Sequence, residues 1–533
     1  MNAQTDSLLS RSLPGIAAML AALAIVTALT LLWRSGAGVE VERSWLGSTP
    51  VTVYRPAAEL RAEAASQWDE SRLGGLPVVL ISHGFAGSQQ LMQAFAVTLA
   101  RNGYLAVTFD YYGHGRNLEP LTGDVMDIEG ATRSLRDQTA AVADFALALP
   151  DAAPGLALLG HSMASDIIVR HALSDPRVAA TIAVSMFSPA VTQAAPENLL
   201  VIVGNLEGRL KIEALRAVGL VTEQPAAGVT FGSFDDGSAR RAVFAPAVEH
   251  VGVLYSPTAL REAAGWLDQS FGRSPGTNTG YIDNRGLAIP LLLSGLVLLA
   301  WPLSKLLPRV FQSRQGLNPA WRELLPAALV PAVATPLLLF AFPADFLGVL
   351  VGGYLAVHFA VYGLLTAGFC LWLRRRRVAT DRASIRRRPL VALLAVTAAT
   401  LYAAGAIGLA LDRFVTSFAV TGPRMPLLIL MLGGTLAYFL ADEWLVRGPQ
   451  VPRGAHLLTR VCFLFSLGLA VALSFEDLFF LLIIAAVIVP YFLIYGLISG
   501  WVYRATGDPL VSALPSAVAF GWTLAVVFPQ LSG

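Results

Sequence analysis

The chain has 533 residues, of which 55 % are hydrophobic and 14 % charged. A soluble domain carries about 25 % charged residues, so a wholly soluble protein is excluded. The net charge is only +2, no basic stretch is interleaved with aromatics, and Cys370 and Cys462 both sit in apolar runs. Nucleic acid is therefore not an expected partner, no disulfide staples the polar part, and no Cys/His cluster points to a metal.

Residues 1–12 are polar and precede an apolar run, 13–33, long enough to span a bilayer. Arg11 and Arg34 flank it, and no small-x-small cleavage site precedes Arg34. The run is expected to be an uncleaved signal anchor with a cytoplasmic N-terminus. Residues 35–283 have ordinary soluble composition, whereas 284–533 are a series of apolar runs. Two domains are expected, with that boundary.

Within the soluble part, 39–45 and 51–54 read as strands around Leu46-Gly47-Ser48, and 57–75 as an irregular surface stretch. An alternation of strands and helices follows. Strands are expected at 77–82, 105–109, 156–159, 178–184, 199–204 and 241–244, and helices at 89–101, 129–149, 165–173 and 257–271. That rhythm predicts a doubly wound, mostly parallel sheet of the α/β class.

The centre of this region is Gly160-His161-Ser162-Met163-Ala164, between the apolar strand 156–159 and a helical run. It matches G-x-S-x-G with Ala last, in the strand–turn–helix context that gives the motif meaning. Such a turn lifts the Ser162 hydroxyl clear of the sheet and needs small neighbours. The helix start behind it offers backbone N–H groups to a developing oxyanion.

Three motifs, His83-Gly84-Phe85, Asp110-Tyr111-Tyr112-Gly113-His114-Gly115 and the Ser162 turn, give residues 39–272 a resemblance to the α/β-hydrolase fold. The resemblance implies a nucleophile, an acid and a His in that chain order. Ser162 is then the nucleophile. Glu207, just past the strand 199–204, is the implied acid, with Asp235, Asp236 and Glu249 as rivals. His250, between the last strand and helix, is the implied base; His83, His114, His161 and His171 all precede Glu207. The implied oxyanion donors are the backbone N–H groups of Phe85 and Met163. The Asp110 segment is structural in this reading.

Beyond 284, apolar runs fall at 287–303, 324–342, 347–373, 390–411, 425–440, 457–473, 478–501 and 511–527, giving with the anchor about nine spans. Arg374 to Arg377 with Arg382 and Arg386 to Arg388 form the most basic loop. Lys305, Arg309, Arg314 and Arg322 form a second, and Arg447, Arg453 and Arg460 a third. The loops around Asp345 and Glu476-Asp477 are acidic. The positive-inside rule makes the basic loops cytoplasmic and residues 35–283 periplasmic or extracellular.

Asp442-Glu443-Trp444-Leu445-Val446-Arg447 is similar to the Glu-Glu-x-x-x-Arg motif of the CAAX-protease and bacteriocin-processing membrane family, and 495–516 to a later segment of it. The family's downstream His and Asn are missing, so neither metal nor proteolysis is expected. Asp442 and Glu443 read as an interfacial cap and Arg447 as a cytoplasmic anchor. His358 lies mid-span with no evident partner.

The expected activity is that of a membrane-anchored serine hydrolase cleaving an ester or thioester of a small-molecule or lipid substrate, without a cofactor. Alternatives are an acyltransferase with the same nucleophile, or a transport or sensor protein that binds without turnover.

Overall fold

Apolar strands flanked by amphipathic helices bury both faces of a sheet, and that arrangement organises one of two compact units in the computed structural model. The structure describes residues 2–65, 74–124, 127–273, 280–341, 346–377 and 387–532. The first unit comprises Thr27–Leu291 with Asp412–Ala419 and Pro529–Gly533.

Its strands are β1 (Val39–Leu46), β2 (Thr49–Pro56), β3 (Leu76–Ser82), β4 (Leu105–Phe109), β5 (Ala152–His161), β6 (Val178–Val184), β7 (Leu199–Gly204), β8 (Thr230–Phe231) and β9 (Arg240–Ala245). They form one sheet in the order β1-β2-β4-β3-β5-β6-β7-β9-β8. The pairs β1/β2, β2/β4 and β8/β9 are antiparallel; the rest are parallel. Every residue of β3, β4 and β7 is buried, as expected of strands covered on both faces.

The helices of this unit follow the expected places with instructive differences. The stretch expected to be irregular carries a helix at Ala58–Ala65, and its residues 66–73 lie outside the described residues. Gln89–Met92 is a 3-10 turn before the helix Gln93–Arg101, because Asp110 Oδ1 accepts a hydrogen bond from the Gln89 N–H at 2.7 Å. A five-residue π turn, Ile128–Thr132, precedes the helix Arg133–Leu147. The remaining helices are Met163–Ala172, Gly208–Gly219 and Pro257–Ser270.

Two distant segments are built into this unit. Asp412 pairs with Arg116 at 2.6 Å, and the Ser417 N–H donates to Ser88 Oγ at 2.9 Å. At the C-terminus, the Gln530 N–H donates to Gly113 O, the Leu121 N–H to Gln530 O and the Ser532 N–H to Leu121 O.

The second unit comprises Met1–Val26, Leu292–Leu411 and Val420–Phe528 and is helical. Among the described residues eight helices of the chain are long and apolar enough to cross a membrane: Ser12–Ser35, Arg285–Ser304, Gly352–Arg376, Pro389–Phe414, Gly422–Val446, Ala455–Leu473, Val487–Thr506 and Pro509–Val527. The run expected at 324–342 forms Trp321–Leu338, a helix containing Pro326, Pro331 and Pro336. Asp345, Arg382 and Arg386 lie outside the described residues.

The structure corrects the reading of Asp442, Glu443 and Arg447. Asp442 and Glu443 are buried rather than interfacial. Arg460 Nη1 donates to Asp442 Oδ2 at 2.5 Å, and Arg447 Nε donates to Glu443 Oε2 at 2.7 Å. His456 Nε2 lies 3.4 Å from Glu443 Oε1. His456 and Arg460 are four residues apart on one helix and so present one face to the two carboxylates. A buried charge is tolerated only when paired in this way. His358 also has a partner: its Nε2 lies 3.1 Å from Ser466 Oγ.

Candidate active site

The strand β5 ends at His161, and the helix Met163–Ala172 starts two residues later. Ser162 between them has φ 54° and ψ −118°, a conformation costly for a side chain and typical of functional turns. Its N–H donates to Val184 O at 2.8 Å, which ties the turn to β6. A Cβ on Gly160 would lie 2.9 Å from the backbone oxygen of Ala164, so the turn closes only over glycine.

Ser162 Oγ lies 2.8 Å from His250 Nε2, and His250 Nδ1 lies 2.5 Å from Glu207 Oε1. The imidazole therefore bridges hydroxyl and carboxylate. The other Glu207 oxygen, Oε2, accepts from Ser185 Oγ at 2.8 Å and from the Gly204 N–H at 2.6 Å. Burial pushes the Glu207 carboxyl up, but the donors on His250, Ser185 and Gly204 outweigh it, and the group lies below its ordinary value. Glu207 is thus held as an anion facing the imidazole.

Two of the rival acids are engaged elsewhere. Asp236 Oδ1 accepts from the N–H and hydroxyl of Ser238, and Glu249 accepts from the N–H groups of Val251 and Gly252. Asp235 is exposed, and its backbone N–H donates to Ser233 Oγ at 3.2 Å.

The expected oxyanion donors are the backbone N–H groups of Phe85 and Met163. Met163 is the first residue of its helix, where N–H groups lack partners within the helix. Phe85 follows Gly84, and here the structure adds a residue that the sequence alone did not assign. The Tyr111 N–H donates to His83 Nε2 at 3.1 Å, so the His83 proton sits on Nδ1, which donates to Gly84 O at 2.8 Å. Burial lowers the His83 pKa and keeps the ring neutral. The Gly84 carbonyl and the Phe85 N–H belong to one planar peptide, so fixing the carbonyl fixes the N–H.

Ser185 and His161 were also unassigned. Ser185 directly follows β6 beside the nucleophile turn, a position given by the pairing of His161 with Val184. A polar residue at the carboxyl end of a strand next to the turn is the only signal that pointed there. His161 Nε2 lies 2.8 Å from His250 O. Asp110 accepts from the N–H groups of Gln89 and Arg116 and joins two loops. Among the described residues no group of His, Cys, Asp and Glu could hold a metal ion.

Residues 76–226 match the model of a family described as serine aminopeptidase, S33, a family of hydrolases. No curated protein matches the chain. Among solved structures, the chain is similar to a hypothetical protein from Pseudomonas aeruginosa at 13 % identity, covering 44 % of this chain and 94 % of that one, with a TM-score of 0.32. A membrane phospholipase A described as a bacterial virulence factor is 14 % identical, with coverage of 50 % and 96 % and a TM-score of 0.29. A Thermus thermophilus protein is 19 % identical, with coverage of 44 % and 99 % and a TM-score of 0.29. The chain thus joins a hydrolase of the α/β-hydrolase fold to a helical region with several membrane-capable helices.

Proposed function

We propose that the protein is a membrane-anchored serine hydrolase cleaving a carboxylic ester or thioester, with Ser162 as nucleophile, His250 as base and Glu207 as the orienting acid. The observation that carries this reading is the double reach of His250, to Ser162 Oγ at 2.8 Å and to Glu207 at 2.5 Å. His250 takes the hydroxyl proton as Ser162 attacks the carbonyl. The N–H groups of Phe85 and Met163 receive the oxyanion. The imidazolium, stabilised by Glu207, protonates the leaving group and an acyl-enzyme remains. Water, activated by the same imidazole, releases the acid. No step calls for a cofactor.

In this reading residues 35–283 form the catalytic domain, the basic loops favour a position outside the cytoplasm, and the apolar helices tether it to a bilayer. That location favours a lipid or another acylated envelope molecule. The matched family is described as an aminopeptidase, so amides belong in the substrate panel beside esters and thioesters. Acyl transfer would use the same nucleophile and is distinguished by products formed with and without acceptor alcohols.

The test is fluorophosphonate labelling of the full chain. Wild type is expected to label, and Ser162→Ala and His250→Ala to lose the label. Folded wild type that does not label overturns the enzyme reading and favours ligand binding or transport.

A further inference from the structure

Apart from the triad, the first unit holds a cleft of about 230 Å³ whose walls include Arg43, Arg116, Arg413, Asp412, Gln90 and Tyr54. None of the triad residues lines it. Its charge is unbalanced: three guanidiniums face one carboxylate. That carboxylate is already used, since Asp412 Oδ2 pairs with Arg116 at 2.6 Å and Oδ1 accepts from the Phe418 N–H at 2.8 Å. Among the described residues neither Arg43 nor Arg413 has an ion-pair partner. Both guanidiniums line the same cleft, together with Tyr54.

The polar lining is also incomplete. Gln90 is 7 % exposed; its Nε2 donates to Asp412 O at 3.4 Å, while its Oε1 has no partner among the described residues. Arg116 Nε is likewise buried and unpartnered. Burying such groups is costly unless a ligand or water completes them. Burial raises the Tyr54 pKa and keeps its hydroxyl a donor.

Position narrows the ligand. Val51 pairs with Phe109, Phe109 with Ser82, and Ser82 with Gly160. The cleft wall at Val51 is three strand spacings, or about 14 Å, from the nucleophile turn along the same sheet edge. Asp412 and Arg413 lie in the last turn of Ile407–Phe414, which ends the membrane-capable helix Pro389–Phe414. The end of a spanning helix lies at the level of lipid headgroups.

We infer that this cleft binds a phosphate group, with the Arg43 and Arg413 guanidiniums as its primary donors. The position of Arg413 favours the phosphate of an anionic lipid headgroup. Guanidinium forks suit phosphate oxygens, and the Gln90 Oε1 acceptor suits a headgroup hydroxyl. The site is independent of the catalytic reading, since it stands even if Ser162 is inert.

The experiment is calorimetric titration of delipidated, detergent-purified full-length protein with short-chain phosphatidylglycerol, short-chain phosphatidylcholine and inorganic phosphate. It compares wild type with Arg43→Gln/Arg413→Gln, and with Arg133→Gln/Arg136→Gln, which removes the same charge from the exposed face of another helix. The expected result is saturable binding of phosphatidylglycerol, weaker for phosphatidylcholine, falling about tenfold in the Arg43/Arg413 variant alone. Saturable binding of inorganic phosphate at least as tight as of the lipid, with the same variant dependence, upholds the phosphate site and assigns it to soluble phosphate esters. Absence of saturable binding by folded wild type, or equal loss in both double variants, overturns the inference. Fluorophosphonate labelling of the Arg43/Arg413 variant at the wild-type rate separates this site from the triad.

Discussion

His161 Nε2 lies 2.8 Å from the backbone oxygen of His250, so the residue before the nucleophile grips the loop that carries the base. The two rings pack with centroids 4.8 Å apart. Burial and the neighbouring His250 lower the His161 pKa to about 3, so its ring is neutral and the hydrogen bond survives throughout the neutral range. His161→Phe keeps the packing and removes the donor. We expect kcat to fall about tenfold to a hundredfold with KM nearly unchanged, since a displaced base is costly to the transition state. Steady-state kinetics on an activated ester check this, and an unchanged kcat would refute the positioning role.

Ser185 tests the carboxylate. The Glu207 carboxyl is depressed below its ordinary 4.5 in the folded protein. It therefore contributes stability that is present above the unfolded value and lost as pH falls through the folded one. Ser185→Ala removes one donor from the anion, a bond worth about 1.5–3 kcal/mol to a charged group. The folded value then rises toward the unfolded one, so the acid limb of the stability curve moves to higher pH. Thermal melts of Ser162→Ala and Ser162→Ala/Ser185→Ala between about pH 3 and 7 read this without interference from catalysis.

His83 should matter without touching substrate. His83→Ala frees the Gly84 carbonyl and with it the peptide plane that aims the Phe85 N–H. Loss of one oxyanion donor costs about 10²–10³ in kcat. We expect a fall toward the lower end, because the Gly87 N–H also donates to Gly84 O and still restrains the turn. Slower labelling by fluorophosphonate, with the fold intact by circular dichroism, is the expected pattern.

The C-terminal residues are predicted to stabilise the catalytic unit. Truncation after Phe528 removes the three backbone hydrogen bonds to Gly113 and Leu121. At 0.5–1.5 kcal/mol each, the loss is roughly 1.5–4.5 kcal/mol. Gln530→Pro removes only the N–H that reaches Gly113 and should cost about a third of that. Denaturant melts of both variants check the ratio.

Ser162, Glu207 and His250, which the structure brings together, were more legible than the side chains around them. The Ser162 turn carries its own signature, because a strand, a tight turn and a helix must follow within a few residues. Glu207 and His250 follow strand ends, and strand ends were visible as breaks in apolar runs. Ser185 carries no motif; only the register of β5 on β6 brings it to Glu207. His83 was visible as part of a turn motif, but its role depends on a hydrogen bond from Tyr111, 28 residues away. Asp442 and Arg460 were misread for the same reason. They lie 18 residues apart at the ends of two apolar runs, and only the packing of two helices buries them together. Local pattern reports periodicity and punctuation, whereas these contacts depend on tertiary register.

The two segments stitched into the hydrolase unit, 412–419 and 529–533, impose a parity on any path through a bilayer. Both must emerge on the face where the hydrolase lies, so the chain makes an even number of passes between each pair of visits. From 419 to 529 there are four membrane-capable helices, which satisfies the rule. Among the described residues between 291 and 412 there are three, Arg285–Ser304, Gly352–Arg376 and Pro389–Phe414, which do not. On such a path the fourth pass is Trp321–Leu338, the helix formed by the apolar run 324–342, whose three prolines make it the least regular of the candidates, and the count returns to the nine spans expected from the apolar runs.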